Sequence, residues 1–276
     1  MDAFPYGRTI VITGAGSGIG LACAEAFANQ GYRVWALSRR AGGEARDMGA
    51  GSIRPLACDV RDDASVAAAV SVMRIAGDAG DDIGIVLHCA GFGIAGAAED
   101  TPLEAVREQF ETNYFGVLQV NRHILPIFRA RGGGLVLLMG SMAGLIPIPY
   151  QSHYSSTKFA LEAYCEALRM EGRPLGIRAC IIEPGDTRTG FTDARESALP
   201  EGSPYAEACQ KAVDCMAVDE QNGHSPGKVA RVTLRLARRK NPPTRRAVGM
   251  SYKTLALLRR LLPSRTIAWV LRMKYL

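Results

Sequence analysis

Thr9-Ile10-Val11-Ile12-Thr13-Gly14-Ala15-Gly16-Ser17-Gly18-Ile19-Gly20 is the stretch on which the fold turns. Its first five residues are all β-branched and read as a buried strand. Four glycines then fall within seven residues, and a helical pattern runs from Ile19 to Gln30. Glycine lets the chain turn sharply and lets backbone approach a pyrophosphate closely. The helix that follows offers free N–H groups and the positive end of its dipole. Strand, glycine loop and helix in that order point to a nucleotide.

The same alternation continues along the chain. Apolar runs at Arg33–Ser38, Ile53–Val60, Ile83–Cys89, Leu135–Met139, Ile177–Ile182 and, more weakly, Arg245–Val248 alternate with helical stretches at Ala64–Ala76, Leu103–Arg131 and Ser155–Gly172. This βαβ rhythm predicts one α/β domain, residues 1–276, with a doubly wound parallel sheet of about seven strands and helices on both faces. Residues 193–227, which begin at Asp193 and are rich in Pro and Gly, interrupt the rhythm and read as a substrate lid. Ser225-Pro226 reads as the start of a helix reaching about Arg239.

Composition narrows the function classes. The chain has 276 residues, 47% of them hydrophobic, enough for a large core. No apolar run reaches the roughly 20 residues of a membrane span, and the first residues, with Asp2 and Pro5, lack a secretory pattern. The seven cysteines are scattered without a C-x-x-C pair, as expected of reduced thiols in a cytoplasmic protein. The four histidines lack metal-ligand spacing, so no metal is expected. Of 33 basic residues, 14 lie in residues 228–276, which hold no acid; the remainder of the chain has 19 basic and 27 acidic residues. That asymmetry reads either as a surface for an anionic partner or as a solvated helical face.

Four further residues form a pattern. Tyr154 and Lys158 are four apart, on one face of a helix; Ser141 precedes Tyr154 by 13 residues and Asn113 by 41. With the loop Thr13-Gly14-x-x-x-Gly18-Ile19-Gly20, this chain resembles the classical short-chain dehydrogenase/reductase family over residues 8–192, closest to its 17β-hydroxysteroid and retinol dehydrogenase-like subgroup. The resemblance implies hydride transfer between a nicotinamide and a carbonyl or alcohol. Asn113, Ser141, Tyr154 and Lys158 would be its catalytic tetrad.

The chemistry suits those residue types. A ketone accepting hydride needs a proton at its oxygen, and tyrosine's pKa near 10 is too high for ready exchange. A nearby lysine ammonium is expected to lower it. Ser141 would stabilise charge on the substrate oxygen. By resemblance, Lys158 also holds the nicotinamide ribose and Asn113 positions a water. The glycine loop (Gly14, Gly16, Ser17, Gly18, Ile19, Gly20), Asp59-Val60, Cys89-Ala90-Gly91, Pro184-Gly185, Thr187 and Thr189 are the expected cofactor contacts, together with Asn113, Tyr154 and Lys158. Strand two ends in Ser38-Arg39-Arg40, without the acid that would bind the ribose hydroxyls of NAD. An arginine there pairs with a 2′-phosphate, which favours NADP(H) over NAD(H); the bland alternative is a pair of solvated loop charges. His88 stands where many members have asparagine and reads as a satisfied strand-end side chain.

Apolar candidates for the substrate pocket are Phe92, Ile94, Ile146, Ile148, Pro149, Tyr150 and Phe191, implying a hydrophobic small molecule. His153, beside Tyr154, is a substrate contact or a neutral rim residue. The C-terminal segment reads as two basic amphipathic helices broken at Pro263. They would cover the substrate mouth or a subunit interface, lie on a membrane surface, or receive an acidic carrier or coenzyme A ester; nothing in them resembles a nucleic-acid module. A homodimer or homotetramer follows from the resemblance. Other readings compete with reduction of a free ketone: an NADPH-binding regulator or scaffold without turnover, an enzyme for carrier-bound or CoA-bound 3-oxoacyl substrates, and another reaction on the same fold, such as epimerisation or dehydration.

Overall fold

The computed structural model describes residues 4–40, 43–76, 82–191 and 195–276. β1 (Thr9–Thr13), β2 (Arg33–Ser38), β3 (Arg46–Asp47), β4 (Ser52–Ala57), β5 (Ile83–His88), β7 (Gly134–Met139), β8 (Ile177–Pro184) and β10 (Arg245–Val248) form one sheet in the order β10-β8-β7-β5-β1-β2-β4-β3. Seven of its strands run parallel, as the sequence predicts. The eighth, β3, is a two-residue antiparallel edge on β4. A second, two-stranded ribbon joins β6 (Ile94–Ala95) to β9 (Glu196–Ser197).

Strand alternation splits the core in two. Ile10, Ile12, Ile85, Leu87, Leu135 and Leu137 face α1 (Gly18–Ala28) and α7 (Pro226–Ala237). Their neighbours Val11, Val86, Val136 and Leu138 face α2 (Asp63–Ile75), α4 (Gly116–Ala130) and α5 (Ser152–Gly172). Successive side chains on a strand point to opposite faces, so a strand buried on both sides must be apolar throughout. β1, β5 and β7 are indeed buried at every position.

Three boundaries differ from the sequence reading. The strand expected to reach Val60 ends at Ala57, leaving Asp59 and Val60 in the turn before α2. The long helix expected over Leu103–Arg131 divides into α3 (Leu103–Phe110), a π-turn (Glu111–Phe115) and α4. The segment expected as an irregular lid holds β9 and α6 (Ala206–Gln221), a helix of 16 residues; Asp193 and Ala194 lie outside the described residues. The chain ends in α8 (Met250–Leu261) and α9 (Ser264–Tyr275), separated at Pro263. Among the described residues no helix is long and apolar enough to cross a membrane.

Candidate active site

β1 and β5 are neighbours in the sheet but are followed by connections running to opposite sides, which opens a crevice beyond their carboxyl ends. A cavity of about 950 Å³ occupies it. Because the sheet order places β2, β1, β5, β7 and β8 side by side, the loops after those strands line the cavity in that sequence: Ser38 to Arg40, the glycine loop, Cys89 to Gly91, Ser141, then Pro184 and Gly185.

The glycine loop is built as a cradle. A Cβ on Gly20 would stand 2.2 Å from the Gly14 carbonyl oxygen, so α1 seats directly on the loop. Gly14 itself adopts φ +65°, and a Cβ there would meet the Ala90 backbone at 2.6 Å. Thr13 Oγ1 accepts hydrogen bonds from Cys89 N–H (3.2 Å) and Ala90 N–H (3.3 Å), tying the loops after β1 and β5 together. Ser17 caps α1 in extended conformation without a side-chain bond to the helix amides, and the first turn carries no acid. These amides and this close backbone fit a pyrophosphate.

At the far side of β7, Ser141 caps a short 3-10 turn (Met142–Gly144), its Oγ accepting from Ala143 N–H at 3.1 Å. The hydroxyl proton is thereby left to donate toward the phenol of Tyr154, with which Ser141 is hydrogen-bonded. Tyr154 and Lys158, one helical turn apart on α5, are both buried on the cavity wall. Phe191 packs on the Tyr154 ring, centroid to centroid 5.6 Å.

A family model described as short chain dehydrogenase matches residues 8–199. The chain belongs to the short-chain dehydrogenase family. It is 36% identical over 271 residues to the 3-ketodihydrosphingosine reductase of Bacteroides thetaiotaomicron, covering 97% of this chain and 98% of that protein. It is 28% identical over 281 residues to retinol dehydrogenase 8 of Bos taurus, covering 93% and 86%. The solved short-chain dehydrogenase of Streptomyces avermitilis superposes with a TM-score of 0.76 at 29% identity, covering 91% of this chain and 92% of that one.

Within this dehydrogenase the electrostatics of the site are set by burial. Burial pushes the Tyr154 phenol up to about 12, Ser141 and Arg195 pulling down and Glu220 pushing further up. Burial likewise brings Lys158 down to about 8. The sequence expectation that the lysine would lower the tyrosine's pKa is not what the geometry gives. Lys158 Nζ turns to the Met139 carbonyl oxygen and lies 5.6 Å from the centre of the Tyr154 ring. His88 is a buried neutral imidazole, driven down to about 4, whose Nε2 contacts Asn121 Oδ1 at 3.0 Å.

Five expected contacts do not reach the cavity wall. Asn113 is buried in the π-turn, where its Oδ1 accepts from Phe92 N–H (3.0 Å) and its Nδ2 donates to the Phe92 carbonyl (2.9 Å) and Thr157 Oγ1 (3.2 Å). Its side chain is committed to holding Phe92, so it acts behind the wall. Ile94 is buried in the ribbon with β9. His153 precedes Tyr154 by one residue, about 100° around the helix, and falls outside the lining. Pro149 and Tyr150 belong to a smaller neighbouring pocket. The remaining expected cofactor contacts, with Ile148 and Phe191, lie on the wall.

The sequence reading missed Met216 and Glu220 on α6, Tyr252 and Leu255 on α8, and Val270, Leu271, Lys274 and Tyr275 on α9, all on the wall. Only the i, i+4 spacing of Met216–Glu220 and Val270–Lys274 hinted at shared faces.

Proposed function

We propose that this dehydrogenase uses NADP(H) to interconvert a hydrophobic ketone and its secondary alcohol, Tyr154 exchanging the proton at the substrate oxygen. The observation that carries the reading is the single cavity joining Arg39 and Arg40 to the glycine cradle and Tyr154. When bound, the nicotinamide supplies the hydride. The chain's own residues do the rest. Arg39 and Arg40 stand at the end of β2; Asp59, the acid on the wall whose charge Arg39 also feels, is bound by Arg61 at 2.7 Å, which leaves the two guanidinium groups without a salt bridge among the described residues. This suits a 2′-phosphate. Ser141 donates to the substrate oxygen, and Lys158 sets a positive charge beside the reacting face. Asn113, through Phe92, fixes the floor beneath it.

Beyond Tyr154 the walls are Phe92, Ile146, Ile148, Phe191, Met216 and Leu255, with Glu220 the acid whose field reaches the phenol. An apolar chamber whose wall carries acids, Glu220 in its ion pair with Arg195 among them, suits a long-chain ketone bearing a cationic group near the carbonyl. The name of the Bacteroides relative, a reductase of a sphingoid ketone, supports the same class. Exposed Phe115, the last residue of the π-turn, and Phe159 on α5 support a homodimer across those helices. Fluorescence titration with NADPH and NADH, then long-chain ketones followed at the nicotinamide absorbance, tests the reading. We expect tighter NADPH binding and turnover of amino ketones. NADPH binding without turnover of any ketone would overturn the ketone assignment, and absence of nucleotide binding would overturn the whole reading.

A further inference from the structure

The two C-terminal helices carry a second face that the chemistry does not use. Inward, Ile267 and Tyr275 are buried, and Leu271 and Tyr275 line the cavity. Outward, Leu257 and Leu261 on α8 and Trp269 and Met273 on α9 are 55%, 70%, 63% and 71% exposed. Their spacing of four on each helix makes two apolar stripes. Arg260, Arg265 and Arg272 are exposed among them, and residues 228–276 contain no acid. Large apolar side chains clustered in water mark an interaction surface.

We propose that this face seats on an anionic lipid bilayer, so that the cavity walled by the same helices takes up substrate beside the membrane. The composition selects the occupant. Leucine, methionine and tryptophan need hydrocarbon and the headgroup boundary, whereas the arginines need phosphate; a bilayer surface supplies both. Each helix has 12 residues, too short to span and long enough to lie in the interface. A second copy suits the face less well. A two-fold interface would set this patch, with Arg260, Arg265 and Arg272, against an identical patch, with no acid in the segment to pair its arginines. The proposal is independent of which ketone is reduced.

The chain reports on it directly, because of its two tryptophans Trp35 is buried and Trp269 exposed. The full-length protein is titrated with phosphatidylcholine vesicles, with and without phosphatidylglycerol, reading tryptophan emission and vesicle co-sedimentation. We expect a blue shift and binding on the phosphatidylglycerol vesicles, with the shift absent in Trp269→Phe. An arginine near an anionic surface contributes roughly fivefold in partition (about 1 kcal/mol). The triple variant Arg260→Glu, Arg265→Glu, Arg272→Glu, folded by circular dichroism and active on a water-soluble ketone, should therefore lose at least about a hundredfold. Unchanged partition in the triple variant, or no binding to phosphatidylglycerol vesicles, overturns the proposal. So does a dimer that Leu261→Ser with Met273→Ser dissociates in a protein that ignores vesicles, which would assign the face to a second copy.

Discussion

Lys158 donates from Nζ to the carbonyl oxygen of Met139 at 2.9 Å, joining α5 to the last residue of β7. Ser141 lies two residues beyond Met139 and Tyr154 one turn before Lys158, so this bond holds the two ends of the reacting site in register. Burial decides the state of the phenol. With the ammonium turned to a carbonyl and burial dominant, Tyr154 stays protonated near neutrality, the form that reduction of a ketone requires.

Tyr154→Phe removes that proton while keeping the ring packed on Phe191. The expected loss in kcat for ketone reduction is about 10²–10⁴, with an unchanged melting temperature. Ser141→Ala should cost about 10²–10³, and the double variant little more than Tyr154→Phe alone. Steady-state NADPH oxidation at saturating ketone checks this; substantial turnover in Tyr154→Phe would remove it from the chemistry.

Arg39→Asp should exchange cofactor preference. A hydrogen bond to a charged group contributes about 1.5–3 kcal/mol, so NADPH should bind roughly 10- to 100-fold more weakly, and NADH should be little affected. Equal weakening of both nucleotides would indicate a damaged loop, and no effect on either would leave Arg39 as solvated charge.

Glu220→Gln should discriminate among substrates. If the carboxylate receives a cationic group beside the carbonyl, KM rises for a long-chain amino ketone and stays level for the matching ketone without nitrogen. Parallel Michaelis curves for the two ketones are the measurement, and an equal rise for both would take Glu220, ion-paired with Arg195, out of substrate recognition.

Glu162 makes a pH prediction. It is packed against Glu183, with Arg245 bridging both and Glu166, and burial followed by the Glu183 charge raises its carboxyl to about 8. An acid raised on folding binds its proton more tightly in the native state, so its contribution is intact at low pH and is lost as pH climbs from about 4.5 through about 8. Glu162→Gln should therefore melt close to the parent at pH 5 and increasingly above it toward pH 8.5. A constant difference across that range would deny the titration.

Gly20→Ala tests the cradle. The added methyl would stand 2.2 Å from the Gly14 carbonyl, forcing α1 off the loop. Overpacking of this kind costs about 1–3 kcal/mol, and nucleotide affinity should fall with it. Normal NADPH binding by the variant would show that the loop relaxes freely.

Legibility in the sequence followed the reach of the physical signals. The strands were plain because both faces of β1, β5 and β7 are buried, which demands unbroken apolar runs. Gly14 to Gly20, Tyr154 and Lys158 were plain because turn geometry and helical spacing are local. The edge strand β3 was invisible: Arg46 and Asp47 are exposed and pair through backbone alone. Asn113 was picked out by its spacing, but its engagement with Phe92 depends on the π-turn, which no residue pattern announced. Met216, Glu220, Val270 and Leu271 meet the cavity only after α6 and α9 fold back across the sheet. Such contacts are products of tertiary packing, and helical periodicity cannot say which face is turned toward a hole.

The π-turn at Glu111–Phe115 also makes this region a matter of counting. A five-residue turn holds one residue more than its α-helical neighbours, and one residue corresponds to about 100° of rotation. Deleting Glu111 or Thr112 would let the helix run through smoothly but shorten the separation of Gln109 and Asn113 from four residues to three, turning one about 100° relative to the other. Asn113 and Gln109, which both bond the Phe92 carbonyl, could then no longer reach it together. Substitution is thus the gentler perturbation of this segment, and loss of one residue, however chemically innocuous, unseats the floor of the site.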